Sequence, residues 1–202
     1  MTPATPSRRA RADTQAFFAA RAAGWDERFP DDGPAFERAA AALALPRGGS
    51  VLDAGCGTGR GAEALRAAVG PAGLVIGVDV TTEMLAVATQ QRRPGVFGLA
   101  DAAALPLRGA SVDGVLAAGL LTHVPSAAAT LGELRRVTRA GGTLAVFHPI
   151  GRAALAARHG RTLTPGELLD PPVLRGVLGA AGWAAGEIDD GAARYLAVAR
   201  AV

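Results

Sequence analysis

The chain has 202 residues, half of them hydrophobic and 19% charged, which suits one globular domain with a sizeable core. No apolar run reaches the roughly 18 residues that a membrane-spanning helix needs. Asp13, Arg21 and Asp26 interrupt the stretch after Arg8-Arg9 that an export signal would need to be apolar, so we expect a cytoplasmic protein. Cys56 is the only cysteine, which excludes an intramolecular disulfide and a cysteine metal cluster, and we expect no bound metal.

The formal net charge is +3, and every basic residue of the chain is an arginine. The arginines are scattered along the sequence instead of forming one basic stripe, and alanine, glycine and proline are abundant as well. This pattern is typical of coding bias in a GC-rich genome. It argues against a nucleic acid as the partner.

The opening segment is rich in aromatic residues and shows two candidate helices. After a loose terminus of about a dozen residues, the pattern predicts helices over Thr14–Gly24 and Pro34–Leu45. Five aromatic residues of the chain lie here: Phe17, Phe18, Trp25, Phe29 and Phe36. We therefore expect residues 1–46 to form a helical cap and substrate lid over a core formed by residues 47–202.

From Ser50 onwards, short apolar runs alternate with helical stretches. The predicted strands are Ser50–Asp53, Leu74–Val78, Val96–Leu99, Val112–Ala117 and Thr143–Phe147. The predicted helices between them are Gly59–Val69, Thr82–Gln91 and Ala127–Arg139, the last ending at Gly141-Gly142 as at a helix C-cap. Such alternation is typical of a parallel sheet with helices on both faces.

The last fifty residues depart from this alternation. Helices are predicted over Thr164–Leu169 and Pro172–Ala181, followed by strands over Trp183–Ile188 and Arg194–Ala199. Asp189-Asp190-Gly191 between the strands is a hairpin signal. The predicted fold is α/β: a Rossmann-like, doubly wound, mostly parallel seven-stranded sheet with a C-terminal antiparallel hairpin and an N-terminal helical cap.

The strongest functional signal is the glycine-rich segment Val51–Gly61, in which a strand turns directly into a helix. Glycines permit the backbone conformations of such a turn and let a ligand approach the main chain closely. A dinucleotide fingerprint does not fit, because its third glycine would fall on Arg60 when read from Gly55 and on Ala62 when read from Gly57. The loop is therefore built for a different ligand.

Asp53 stands at the end of the strand before this turn, where a carboxylate would repel a pyrophosphate and favour a cation. The segment resembles the first motif of the class I S-adenosylmethionine-dependent methyltransferases. The resemblance implies S-adenosylmethionine as cofactor, with Asp53 close to the ammonium group of its methionine part. It also implies that the following loop cradles the methionine: Ala54, Gly55, Cys56, Gly57, Thr58 and Gly59.

Two later segments match the same family. Asp79 follows the second strand at about the separation, roughly 20 residues, expected of a carboxylate that binds a ribose diol; the alternative is that it only caps the next helix. By resemblance, Val80 and Met84 flank the adenine. Asp101 would accept a hydrogen bond from the adenine amino group, and the backbone NH of Ala102 would serve the ring.

The fourth predicted strand resembles the family strand that borders both cofactor and substrate. Ligands of open α/β sheets lie beyond the carboxyl ends of the strands, so Ala118, Gly119 and Leu120 are expected beside the cofactor. Asp113, at the strand's beginning, is assigned a structural role. The segment Glu133–Leu144 completes the resemblance, although Ala140 stands where the family usually has proline.

Methyl transfer from a sulfonium requires alignment and exclusion of water more than a dedicated catalyst. If a base is used, His123 and His148 are the candidates, because each follows a strand on the ligand side of the sheet and titrates near neutrality. The alternative is that both are polar strand ends. Phe18, Trp25 and Phe29 are expected in the substrate cap, where they either contact the sulfonium through cation–π attraction or only pack.

The resemblance is nearest to the group that includes ubiquinone- and menaquinone-biosynthesis methyltransferases. It implies transfer of a methyl group to an oxygen, nitrogen or carbon of a small metabolite. Cytosine-C5 enzymes are disfavoured because Cys56 lies inside the cofactor loop instead of after a later strand. Two alternatives stay open: a methyltransferase acting on RNA or protein, and a non-catalytic module that keeps the cofactor site.

Overall fold

The computed structural model describes residues 6–29 and 32–202. Its strands are β1 (Ser50–Ala54), β2 (Leu74–Asp79), β3 (Val96–Leu99), β4 (Val112–Ala118), β5 (Thr138–His148), β6 (Trp183–Gly191) and β7 (Arg194–Ala201). Its α-helices are α1 (Pro6–Ala19), α2 (Gly33–Ala42), α3 (Ala62–Val69), α4 (Thr82–Gln90), α5 (Ala127–Val137), α6 (Arg152–Arg158) and α7 (Pro171–Ala180). Two short 3₁₀ turns, Ala22–Gly24 and Asp26–Arg28, join α1 to α2.

The strands form one seven-stranded sheet in the order β3-β2-β1-β4-β5-β7-β6. The first five strands run parallel, and β7 pairs antiparallel with both β5 and β6. This confirms the predicted mostly parallel sheet with a terminal hairpin. The strand order reverses between β1 and β4, and a crevice opens beyond the carboxyl ends of the strands at such a point.

Both faces of the sheet are covered, and side chains that alternate along each strand enter two separate cores. In β4, for example, Val115 and Ala117 join the core under α5 and α7, whereas Leu116 joins the core under α2 and α3. The helix α2 belongs to this second core, since Phe36 packs edge-on against Phe147 of β5 at 5.1 Å between ring centres. No helix among the described residues is long and apolar enough to cross a membrane.

Four local predictions were wrong. The first helix begins at Pro6 in the segment expected to be loose and ends at Ala19, five residues before the predicted end at Gly24. The sequence Thr164–Leu169 forms turns, and the helix of this region is α6 instead. Gly141-Gly142 do not cap α5; they lie inside β5, where the pairing register with β4 shifts and Gly141 adopts a φ of 74°.

The segment between β5 and β6 is tied down by polar contacts. The guanidinium of Arg152 pairs with Asp190 at 2.8 Å and with Asp170 at 3.3 Å, and the Tyr195 hydroxyl donates to the carbonyl of Leu169 at 2.8 Å. The buried indole of Trp183 donates to the carbonyl of Leu131 at 3.0 Å. The contacts of Arg152 and Tyr195 hold α6 and the start of α7 against the hairpin, and α7 itself packs into the core through the buried Leu174 and Leu178.

Candidate functional site

The glycine loop after β1 turns through three left-handed residues: Gly55, Gly57 and Gly59 have φ values of 69°, 53° and 74°. The amides of Gly55 and Cys56 both donate to the carbonyl of Val78, at 2.8 and 2.9 Å, which anchors the loop to β2. A Cβ added at Gly57 would meet only the sulfur of Met84, at 3.9 Å. The loop therefore presents open main chain beside it, as a cradle for a ligand requires.

Asp79 holds the free part of this loop. Its Oδ2 accepts from the amide of Gly57 at 2.9 Å, and its Oδ1 accepts from the amide of Thr81 at 2.8 Å, just before α4. Burial raises the pKa of this carboxyl, and the two amide bonds partly offset the rise. The side chain thus fixes the cradle and holds the turn that leads into α4, whose N-cap residue is Thr81.

Asp53 is the most unusual group of the site. It is 2% exposed, and its Oδ1 has no hydrogen-bond partner among the described residues. Burial, and then the nearby charge of Asp79, raise the pKa of the Asp53 carboxyl to about 7. An unpaired buried carboxylate is costly unless a cation or a donor reaches it, so this geometry indicates a ligand.

The helix α1 covers the ends of β2 and β3. Gln15 donates from its side-chain amide to the carbonyl of Val80 at 2.7 Å, and Arg11 forms an ion pair with Asp101. The other oxygen of Asp101 accepts from the amide of Ala103 at 2.9 Å. Arg11 and Gln15 had no signal in the sequence, because one helical arginine and one helical glutamine are unremarkable until the fold brings them to these strands.

The ends of β1 and β4 meet across the crevice. A Cβ added at Gly55 would lie 2.9 Å from the Cδ1 of Leu120, so the loop after β4 packs directly on the glycine loop. Gly119 is left-handed, with a φ of 64°, and the space beside it is bounded by the ring of His148 at 4.0 Å. The glycine loop and the residues expected to bind after β2, β3 and β4 therefore all lie at the carboxyl ends of the parallel strands.

The aromatic cap forms a continuous chain of edge contacts at this edge. Phe18 lies 5.4 Å from Trp25 and 5.1 Å from the ring of His123, and Trp25 lies 5.3 Å from Phe29. A groove of about 240 Å³ opens beside it. Its lining is both aromatic and polar: Asp13, Thr14, Phe17, Phe18 and His123.

The two candidate bases differ in their surroundings. His123 is largely exposed, but the cap covers one side of its ring; this desolvation, and then the nearby His159, lower its pKa. Burial lowers the pKa of His148, whose Nδ1 lies 3.0 Å from the carbonyl oxygen and 3.2 Å from the amide nitrogen of Ile150. Both imidazoles are therefore neutral at pH 7, the form that accepts a proton.

A second set of cap contacts reaches the glycine loop itself. Asp26 accepts from the hydroxyl of Thr58 at 2.5 Å and pairs with Arg93 at 3.1 Å. Arg60 pairs with Asp32 at 3.1 Å and donates to the carbonyl of Phe29. The sequence drew attention to the aromatic residues of this segment but gave no sign that the acid between them binds the loop.

Comparison with known proteins agrees with this geometry. Residues 52–146 match the family model described as a methyltransferase domain. A malonyl-[acyl-carrier protein] O-methyltransferase of Pectobacterium atrosepticum is 37% identical over 136 residues, which cover 67% of this chain and 52% of that protein. A demethylmenaquinone methyltransferase of Roseiflexus is 36% identical over 121 residues, covering 56% and 50%. The chain thus spans about half the length of these curated relatives.

The fold is also similar to that of solved methyltransferase structures. The chain superposes on magnesium protoporphyrin IX methyltransferase from Synechocystis with a TM-score of 0.71 and 20% identity, covering 96% of this chain and all of that one. A methyltransferase in complex with the Haloferax volcanii activator Trm112 gives a TM-score of 0.74 at 22% identity, covering 91% and 97%.

The segment 52–146 belongs to the methyltransferase-domain family, and the named relatives support a class I S-adenosylmethionine-dependent methyltransferase. S-adenosylmethionine is the cofactor of this family, and the residues of the site fit it. Asp53 has a buried oxygen free for a cation, and the space beside Gly57 is open to a ligand that follows the main chain.

Proposed function

We propose that this protein methylates a small molecule that binds in the groove between α1 and the loop after β4. The observation that carries the proposal is the groove itself, which lies beside the loop after β4 and is lined by Phe17, Phe18 and His123. An aromatic lining with a titratable group at one side suits an aromatic or conjugated acceptor that carries an ionisable hydroxyl or amine.

The resemblance to the family supplies the cofactor-facing roles that we propose for this chain. The carboxylate of Asp53 meets the ammonium group, the loop from Ala54 to Gly59 follows the methionine part, and Asp79 accepts from the ribose diol. Val80 and Met84 flank the adenine, while Asp101 and the amide of Ala102 bind its polar edge. Ala118, Gly119 and Leu120 run beside the cofactor. When bound, the cofactor supplies an electrophilic methyl group on a sulfonium.

His123 is the better candidate for the proton acceptor. Its ring lines the groove, whereas His148 makes its polar contacts to the backbone of Ile150. A neutral imidazole at the groove takes the proton that a hydroxyl or amine acceptor loses as its heteroatom attacks the methyl carbon. Phe18 holds this ring edge-on and limits the positions that an acceptor can take.

The same groove argues against a nucleic acid or a protein as the acceptor. The groove of about 240 Å³ is lined by five residues of α1 and the loop after β4, a smaller surface than a nucleic acid or a protein would contact. The related proteins are named for demethylmenaquinone and for malonyl-[acyl-carrier protein], so a quinol and a malonyl thioester are the first acceptors to test. We favour the quinol, because the edge-on rings of Phe17 and Phe18 give the groove an aromatic wall.

The test is transfer of labelled methyl from S-adenosylmethionine to a panel of a naphthoquinol, a malonyl thioester, an aromatic amine and bulk transfer RNA. We expect incorporation into the quinol or another small aromatic acceptor. Incorporation into transfer RNA alone would contradict the proposal, and absence of transfer to any acceptor despite cofactor binding would favour the non-catalytic module.

His123→Ala tests the assigned base in the same assay. We expect kcat to fall by about 10²- to 10⁴-fold, the usual contribution of a general base, with unchanged binding of S-adenosylhomocysteine. His159→Ala is the matched control, since it removes a nearby histidine that is outside the groove lining. Full activity of His123→Ala would remove this residue as the base.

A further inference from the structure

Asp26 is the point at which the cap joins the glycine loop. It lies in the 3₁₀ turn Asp26–Arg28, and each of its carboxylate oxygens has a partner outside the cap. Oδ1 accepts from the hydroxyl of Thr58 at 2.5 Å, and Oδ2 pairs with Arg93 at 3.1 Å. Arg60 approaches Oδ1 to 3.8 Å. We call this set of four residues the Asp26 latch.

The partners in the latch are parts of the cofactor cradle. Thr58 is 1% exposed and stands between two left-handed glycines, Gly57 and Gly59. A hydrogen bond to its side chain therefore also constrains the backbone of the loop. Arg93 bounds the same loop, since a Cβ added at Gly59 would lie 3.1 Å from its Cγ. The buried hydroxyl has its only described partner in Asp26.

The cap side of the latch is equally specific. Asp26 is flanked in the chain by Trp25, which contacts Phe18 and Phe29, and the 3₁₀ turn is followed at Phe29 by the carbonyl that Arg60 binds. The contacts of Asp26 with the loop therefore also fix the position of the neighbouring aromatic side chains at the site. The contacts of Asp26 therefore bear on both the glycine loop and the position of the cap.

We infer that Asp26 is a positioning residue that couples closure of the cap to the affinity for the cofactor. Thermodynamic linkage makes the coupling reciprocal: a seated cap holds the glycine loop in the conformation that binds, and a bound cofactor stabilises the seated cap to the same extent. The inference concerns the cofactor and not the acceptor, so it stands or falls independently of the proposed substrate.

The first experiment is calorimetric titration of the full chain with S-adenosylhomocysteine. Asp26→Ala is expected to weaken binding by about tenfold, the scale of a hydrogen bond to a charged group. Asp189→Ala is the matched control, because it removes a similarly exposed carboxylate that pairs with Arg194 at 2.6 Å on the hairpin of β6 and β7, which β4 and β5 separate from β1 and its glycine loop. Binding by Asp26→Ala within twofold of the wild type would overturn the inference.

A pair of substitutions at Thr58 separates the hydroxyl from the packing. Thr58→Val keeps the shape and loses the donor, whereas Thr58→Ser keeps the donor. We expect Thr58→Val to weaken binding about as much as Asp26→Ala, Thr58→Ser to restore it, and the double variant Asp26→Ala/Thr58→Val to be no weaker than either single change. Additive losses would contradict the coupling.

Trypsin cleavage reports on the cap directly, since Arg28 is an exposed site at its centre. S-adenosylhomocysteine is expected to slow cleavage after Arg28 severalfold in the wild type and in Asp189→Ala, and to have no such effect in Asp26→Ala. Equal protection in all three proteins would mean that Asp26 does not couple the cap to cofactor binding, and would overturn the inference. If Asp26→Ala does not fold, the isosteric Asp26→Asn, which loses the charge that pairs with Arg93, undergoes the same two measurements with the same criteria.

Discussion

The carboxylates at the two ends of the parallel strands differ in their hydrogen-bond partners and in the direction of their pKa shifts. At the carboxyl end, Asp53 is buried with one oxygen unpartnered, and its pKa is raised to about 7. At the amino end, Asp113 accepts from the amide of Ser50 at 2.7 Å and pairs with Arg139. Partial burial alone would raise the pKa of Asp113, but these two bonds lower it below its usual value.

The glycines show the same contrast. Gly57 at the carboxyl end and Gly141 at the amino end are both left-handed, with φ values of 53° and 74°. Gly57 faces the unfilled cradle beside Met84, whereas the carbonyl of Gly141 is already bound by Arg200 at 2.9 Å. Groups that the fold satisfies internally stabilise it; groups that it leaves unsatisfied at one edge mark where a ligand contributes.

The largest expected effect separates these two glycines. Gly57→Ala and Gly141→Ala incur a similar backbone penalty, about 1–2 kcal/mol in a left-handed position. Only the first also places a methyl group in the cradle, where overpacking costs a further 1–3 kcal/mol. Titration with S-adenosylhomocysteine should show a loss of up to about a hundredfold for Gly57→Ala and almost none for Gly141→Ala. Equal losses would mean that the loop is not the cradle.

The next effect compares two carboxylates that both accept backbone amides. Asp79→Ala should weaken binding of S-adenosylhomocysteine by about 1–3 kcal/mol, because it removes the proposed ribose acceptor and frees the amide of Gly57. Asp113→Ala should lower the free energy of unfolding by a similar amount while leaving binding unchanged. Calorimetry and denaturant unfolding measure the two quantities. Unchanged affinity of Asp79→Ala would refute the ribose assignment.

The sequence signals for this site are strong because they are local. A strand, a glycine turn and a helix follow one another from Val51 to Gly61, and the carboxylates after the next two strands occur in the expected order. Strand alternation likewise predicted the sheet, because buried parallel strands are recognisable as apolar runs.

What the sequence did not predict depends on contacts distant along the chain. The bond between Asp26 and Thr58 joins residues 32 positions apart, and only the packing of the cap brings them together. Gly141-Gly142 carry a helix-end signal, but the pairing of Thr138 with Val112 begins a strand directly after α5 and overrides it. Local propensity was correct where packing agreed with it and wrong where packing imposed a different solution.

The pH dependence of binding tests the raised pKa of Asp53. Below about pH 7 the free site holds a proton that a cation must expel, so affinity for S-adenosylhomocysteine should fall by up to about tenfold between pH 7 and pH 6. Above pH 7 this contribution should be constant. Asp53→Asn, which has no proton to lose, should show weak binding without this dependence, and an unchanged slope in that variant would assign the titration elsewhere.

The same shift has a consequence for the protein without cofactor. The pKa of Asp53 is higher in the folded state than its ordinary 3.8, so the folded state binds the proton more tightly than the unfolded chain does. Its contribution to stability is fully present below about pH 4 and is lost as the pH rises through 7. Thermal unfolding of Asp53→Asn should therefore lack the part of the pH dependence that the wild type shows between these values.

The smallest effect belongs to the satisfied end of the sheet. Arg139→Gln removes the ion pair with Asp113 but keeps a side chain of similar length, and nearly half of the arginine is exposed to solvent. Exposed pairs of this kind contribute about 0.2–1 kcal/mol, and salt weakens them. Denaturant unfolding should show a loss within that range that vanishes in high salt, with unchanged binding of S-adenosylhomocysteine. A change in cofactor affinity would mean that the two ends of the sheet are coupled, and that Asp113 does more than hold β4 beside β1.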